Sequence, residues 1–143
     1  MRGYLFDTMA HVAAYNTLPE KWSRSWQEAL HGNKHLLLFE PLVAEMSYRL
    51  TLKVGEDRAR ERIYWLKGMK NTEIVNIDDN LAINAGKLYL RYRNKSISLV
   101  DAFILSVANK EKAKVFTTDH HVREAGRGER ITIDFLPKEE LER

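Results

Sequence analysis

Short apolar runs of strand length alternate with stretches whose apolar residues recur at helical spacing, from one end of the chain to the other. Tyr4-Leu5-Phe6 is the first strand candidate and ends at Asp7. Leu18, Trp22, Trp26, Ala29 and Leu30 then recur every three or four residues, predicting a helix over about 18–31 that Gly32-Asn33 closes. Core packing of Trp22 and Trp26 competes there with a role in a dimer or partner interface. Leu36 to Phe39 is a continuous apolar run of strand length. Pro41 suits the first position of the next helix, where its missing N–H would be unpaired anyway. That helix should reach about Val54, where Gly55 breaks it, and a basic helix follows with Ala59, Ile63, Leu66 and Met69 on one face.

Ile74 to Ile77 reads as another strand, and Asp78 or Asp79 can cap the helix striped by Leu81, Ala82, Ala85, Leu88, Tyr89 and Tyr92. After a loop at Asn94-Lys95, Ser98 is an N-cap candidate for a helix from Leu99 to about Lys112. Val115 to Thr117 is a strand with Asp119 just beyond it, and Ile131 to Phe135 is the last short strand. Alternating β and α elements predict an α/β fold: a central parallel sheet flanked by helices on both faces. No repeat, low-complexity segment or linker divides the chain, so residues 1–143 are expected to form one domain.

Composition narrows the chemistry. The chain has no cysteine, which excludes disulfides, thiolate zinc sites and a cysteine nucleophile. No stretch approaches the roughly 18 apolar residues of a membrane span, and Asp7 interrupts the apolar amino terminus where a signal peptide would lie, so the expected location is cytoplasmic. A net charge of +3 permits a nucleic-acid partner without demanding one.

Four carboxylates stand out. Asp7 follows the first strand and Asp119 the strand Val115–Thr117, and ligands of open parallel sheets bind at the carboxyl ends of strands. Helix capping is the competing role for each. Asp101 is the only charged residue from Leu99 to Ala108, in a run apolar nearly all round, where a carboxylate must be paired, bind a metal or lose its charge. It also fits a capping box with Ser98, and the two roles are compatible. Glu45 flanks the stripe of Leu42, Met46 and Leu50, with Arg49 one turn on as a possible ion-pair partner. A doubly wound sheet could bring all four acids to one rim. Such a cluster repels itself unless cations compensate, and oxygen-only ligands select hard ions such as Mg²⁺ or Mn²⁺, which suit phosphodiester cleavage.

Four segments in this order resemble a PIN domain: Tyr4-Leu5-Phe6-Asp7-Thr8, Pro41–Met46, Ser98–Ala108 and Val115-Phe116-Thr117-Thr118-Asp119. More narrowly, the chain is similar to the VapC toxins of type II toxin–antitoxin systems. The resemblance spans essentially the whole chain and implies a Rossmann-like sheet with a rim of acids binding Mg²⁺ or Mn²⁺. It further implies endoribonuclease activity, a homodimer, and neutralisation by a VapB-like antitoxin. Asp7, Glu45, Asp101 and Asp119 match the family's acidic positions, and Thr117 matches its supporting hydroxyl. Met9 stands where the family often has a small hydroxyl residue, which puts one supporting hydrogen bond in doubt. His120-His121 after the last acid is not a family feature, and an exposed loop pair is its competing reading.

RNA must also be held. Arg58, Arg60 and Arg62 lie on one helix, Lys67 and Lys70 follow, and Arg91, Arg93 and Lys95 lead into the Asp101 helix, which makes the last three the preferred phosphate contacts. A solvated charged face is the alternative for each. An Asp-nucleophile phosphatase fits poorly, because Met9 stands where a second Asp is wanted. A phospho-accepting signalling domain lacks its late lysine. An inactive RNA-binding protein or a non-toxin RNA-processing role stays open, and a small gene for a DNA-binding antitoxin immediately upstream would favour the toxin.

Overall fold

Gly3–Phe6 (β1) is buried at every residue, so both faces of this strand are covered, as in a parallel sheet sandwiched by helices. The computed structural model describes residues 3–141, and the outermost residues of the expected 1–143 domain lie outside the described residues. After β1 come α1 (Thr8–Ala14), α2 (Glu20–His31), β2 (His35–Leu38), α3 (Glu40–Val54), α4 (Glu56–Gly68) and β3 (Thr72–Ile74). The chain continues through α5 (Asp79–Arg91), a 3-10 turn at Arg93–Lys95, α6 (Leu99–Glu111) and β4 (Lys114–Thr117). It ends, among the described residues, with α7 (His120–Gly128), β5 (Ile133–Phe135) and α8 (Lys138–Leu141).

The strands form one parallel sheet in the order β3-β2-β1-β4-β5. From β1 the chain winds outward through β2 to β3, then crosses back to the other side of β1 for β4 and β5. The strand order therefore reverses between β1 and β4, and a crevice opens beyond their carboxyl ends. This is the expected α/β architecture, and it puts the residues after Phe6 and Thr117 at the crevice.

The core explains the order of the elements. Phe6 stacks on its register partner Phe116 at 4.1 Å between centroids, and Trp22 and Trp26 of α2 meet Phe6 edge-on. Trp22 is fully buried and Trp26 nearly so, which settles both tryptophans as core. The Trp22 indole N–H donates to Asp134 Oδ1 at 3.0 Å, satisfying a buried donor. On α6, Ala102 and every residue from Ile104 to Ala108 are buried, as its nearly all-round apolar sequence predicts.

Two short helices, α1 and α7, do not announce themselves by periodicity; each begins immediately after a site acid that caps it. Two strands depart from their apolar runs: β3 lies earlier than expected and shares only Ile74 with the run Ile74–Ile77, and β5 is shorter than Ile131–Phe135. Beyond Ile74 only the Val75 amide continues the ladder, to the Leu38 carbonyl at 2.8 Å, while the Val75 side chain turns into the core. Likewise Ile131 is buried but bonds to Gly126 of α7, so pairing starts at Ile133. Apolarity there marks where the chain enters the core, not where it pairs. Gly55 takes φ +90°, a left-handed conformation that lets α3 turn directly into α4.

Candidate active site

Asp7 emerges from β1 as the N-cap of α1. Its Oδ1 accepts the Ala10 amide at 2.9 Å, and its Oδ2 accepts the Thr117 hydroxyl at 2.7 Å and the Thr118 amide at 3.3 Å. Asp119 leaves β4 in the same way and caps α7, accepting the His121 amide at 2.8 Å. Thr117 joins the two, because its hydroxyl oxygen also accepts the Asp119 amide at 3.0 Å.

The other two acids come from helix starts. Ser98 and Asp101 form a reciprocal capping box at the head of α6: the Asp101 amide donates to Ser98 Oγ, and the Ser98 amide donates to Asp101 Oδ2, both at 3.0 Å. The second carboxylate oxygen of Asp101 is not engaged in that box. Glu45, one turn into α3, accepts the Thr8 hydroxyl. Arg49 does not pair with it; its guanidinium lies over the Tyr48 ring at 5.2 Å. The Thr8 hydroxyl thus supports the acid cluster with Met9 beside it.

All four carboxylates line one cleft of about 650 Å³, together with Thr8, Arg49, Ser98, His120, Phe135 and Lys138. Their charges feel one another. Burial pushes the Asp7 carboxyl up to about 6, against the Thr117 and Ala10 hydrogen bonds that hold it down, and the Asp101 charge adds to the rise. Burial also raises Asp101, opposed by the Ser98 amide and reinforced by Asp119 and Glu45. Carboxylates raised in this way gain from a cation placed among them. Among the described residues no three His, Asp or Glu stand close enough to close around one ion. The donor set nevertheless fits a hydrated hard cation, since Mg²⁺ keeps several waters and needs only one or two carboxylates directly.

A PIN domain family model matches residues 4–128. The chain belongs to the PIN domain family. As a PIN domain it shares its fold with solved structures of low sequence identity. The complex VapBC2 from Rickettsia felis, bound to a fragment of its promoter DNA, superposes with a TM-score of 0.71 at 18% identity, covering 93% of this chain and 98% of that one. VapC20 of Mycobacterium tuberculosis, a toxin that cleaves the sarcin–ricin loop, gives 0.70 at 16% identity, with 86% and 95% covered. DNA-bound VapBC from Salmonella typhimurium gives 0.70 at 17% identity, with 94% and 98% covered. No curated protein sequence matches this PIN domain.

The basic candidates lie elsewhere. Arg91 pairs with Glu129 at 2.7 Å, the Arg93 guanidinium bonds the Leu90 carbonyl at 3.0 Å, and Lys95 pairs with Glu124 at 3.1 Å. None of the three lines the cleft, although Lys95 adjoins Ser96, which does. Of the Arg58, Arg60 and Arg62 series, Arg62 packs its guanidinium over Trp65 at 4.6 Å, and Arg60 pairs with Glu56 at 2.9 Å. The cations of the cleft wall are Arg49 and Lys138 instead. Arg49 was visible only as a helix neighbour of Glu45, and nothing in the sequence distinguishes Lys138 from the other charges near the carboxyl end. His120 lines the cleft beside Asp119, with the His121 ring 4.0 Å away. Among the described residues no helix is long and apolar enough to cross a membrane.

Proposed function

We propose that this PIN domain is a Mg²⁺- or Mn²⁺-dependent endoribonuclease acting in the cytoplasm as the toxin of a type II toxin–antitoxin pair, with a homodimeric state and a VapB-like antitoxin as partner. The observation that carries the reading is the convergence of Asp7, Glu45, Asp101 and Asp119 on one cleft at the point where the strand order reverses. The toxin assignment draws on the fold shared with VapC toxins and VapBC complexes.

In this reading the four carboxylates would hold a hydrated cation between them, directly or through its waters. Bound there, it supplies Lewis acidity toward the phosphate and lowers the pKa of the attacking water. Thr117 keeps Asp7 and Asp119 in register with each other, and Thr8 does the same for Glu45. The Ser98 amide fixes one oxygen of Asp101 so that the other is presented to the cleft. Arg49 and Lys138 offer positive charge to the phosphates entering between the acids, and Lys95, with Arg91 and Arg93 behind it, meets the strand where it leaves past Ser96. The apolar side chains Tyr48, Leu52, Tyr64 and Trp65, exposed on α3 and α4, supply area for the protein partners.

The test is cleavage of a labelled single-stranded RNA with Mg²⁺, with Mn²⁺ and with EDTA, beside Asp101→Asn, which keeps the shape and removes the charge. Metal-dependent cleavage that the variant loses supports the assignment; equal cleavage by both places the activity elsewhere. Growth arrest on expression, relieved by the product of an adjacent upstream gene, separates a toxin from an RNA-processing enzyme.

A further inference from the structure

Among the described residues that line the cleft, Phe135 is the sole phenyl ring. It sits at the carboxyl end of edge strand β5, half-buried, in a cleft whose wall carries the four carboxylates. Its placement follows from register. Phe135 pairs with Thr117, and laterally paired residues of a parallel sheet point to the same face, about 4.8 Å apart. The ring therefore stands beside the hydroxyl that bonds Asp7. The next residue inward, Asp134, points to the opposite face and meets Trp22.

The ring is also backed. Arg123 lies one turn beyond Asp119 on α7, and its guanidinium carbon is 4.1 Å from the Phe135 centroid. Its Nε is buried with no hydrogen-bond partner among the described residues, and the ring lies directly against the guanidinium. Ile133, on the same face of β5, packs so tightly against α7 that a Cβ on Gly126 would come within 2.6 Å of its Cδ1. Strand, helix and cation together hold Phe135 at the lip of the acid cluster.

We propose that Phe135 is the base-stacking platform of this cleft, taking the unpaired base of a nucleotide whose phosphate lies over Asp7 and Asp119, with Arg123 as the positioning residue behind it. The inference rests on the nuclease reading above. A base can reach the ring only when splayed from its neighbours, so the platform selects single-stranded or looped RNA over duplex, and it tolerates any base because every base has a π-face.

Steady-state cleavage of one single-stranded RNA and of the same strand in a duplex tests it, with Phe135→Leu, Phe135→Tyr and Arg123→Leu. Phe135→Leu raises KM for the single strand about 5- to 150-fold, the range one base–aromatic stack supplies, with kcat within about twofold. Phe135→Tyr restores the wild-type KM. Cleavage of the duplex is unaffected by either. Arg123→Leu raises KM for the single strand by a smaller factor and adds nothing to Phe135→Leu. A loss confined to kcat, a Tyr variant no better than Leu, or equal losses on single strand and duplex overturns the platform. So does wild-type behaviour of Phe135→Leu, which leaves the nuclease standing. RNA untouched by the wild-type protein overturns both.

Discussion

Thr117 donates its hydroxyl hydrogen to Asp7 at 2.7 Å and accepts the Asp119 amide at 3.0 Å through the same oxygen. One fully buried side chain thus sets the relative position of two acids that come from different strands. Its hydrogen bond opposes the burial that raises Asp7. Thr117→Val keeps the volume, frees the Asp119 amide of its acceptor and lets Asp7 rise further. If Asp7 holds a cation as proposed it must be charged, so the acidic limb of the kcat/KM profile moves to higher pH. Activity at neutral pH falls about 10- to 100-fold, as for other groups that orient ligands. Thr117→Ser, which retains the hydroxyl, stays close to wild type. Coincident profiles for Val and wild type would remove Thr117 from the site.

Metal binding at the proposed site predicts a crossing of stabilities. In the metal-free protein Asp101→Asn relieves the repulsion that Asp119 and Glu45 exert on Asp101, while the amide oxygen still accepts the Ser98 N–H. Its melting temperature should equal or exceed wild type in EDTA. With Mn²⁺ at roughly 100-fold above its Kd, wild type gains about 2.7 kcal/mol, several degrees for a chain of this size, and the variant gains much less. Calorimetry in the two buffers reads the reversal directly. Parallel shifts in both proteins would show that Asp101 does not hold the ion.

The residues that could be read from sequence share one property: their surroundings are set by neighbours in the chain. Asp101 stood out because it interrupts an apolar helix, and Asp7 and Asp119 because each ends a strand. The capping box of Ser98 and Asp101 was legible for the same reason, being closed within one turn. What depends on packing between distant segments was not. Phe135 faces the cleft only because β5 pairs with β4 in a register that puts it beside Thr117, and its sequence reads simply as strand. Arg49 stood at the right spacing to pair with Glu45, yet Thr8, brought in by α1, takes that carboxylate instead. The short helices α1 and α7 escaped notice because each is too brief to show a full apolar stripe, and α7 carries glycines at Gly126 and Gly128 that argue against a helix.

His11 should make the fold acid-sensitive. It is buried against Phe6 and Trp26, neither ring nitrogen has a hydrogen-bond partner among the described residues, and burial, with the Arg62 charge nearby, pushes its pKa down to about 3 from an ordinary value of 6.5. A folded-state value below the unfolded one means that the contribution is intact above 6.5 and is lost as pH falls toward 3. Over that window the linkage amounts to roughly 5 kcal/mol. His11→Leu should match wild type within about 1 kcal/mol at pH 8, where lost ring contacts offset the removal of an unpaired imidazole. It should grow steadily more stable than wild type below pH 6. Urea melts across this range measure the slope, and equal slopes would mean that His11 finds a partner in solution.

Asp134 offers a way to separate charge from hydrogen bonding in the core. Its buried carboxylate accepts the Trp22 indole N–H at 3.0 Å and faces two lysines, Lys21 at 3.0 Å and Lys114 at 3.6 Å. Lys21 is 63% exposed, so water screens its charge and that pair contributes little. The indole is fully buried and has no such recourse. Asp134→Asn keeps an acceptor for Trp22 and should cost under about 1 kcal/mol. Asp134→Leu leaves the indole N–H unpaired in the core and should cost about 1–3 kcal/mol. If the charge of the two lysines governs instead, Asn and Leu lose similar amounts, and raising the salt concentration weakens the wild type toward both. Denaturant midpoints of the three proteins at low and high salt decide between these, and the direction matters for the cleft. Trp22 packs edge-on against Phe116, which occupies the β4 position just before Thr117. Loosening Trp22 should therefore reach the hydroxyl that holds Asp7 and Asp119 together, and lower cleavage without touching an acid.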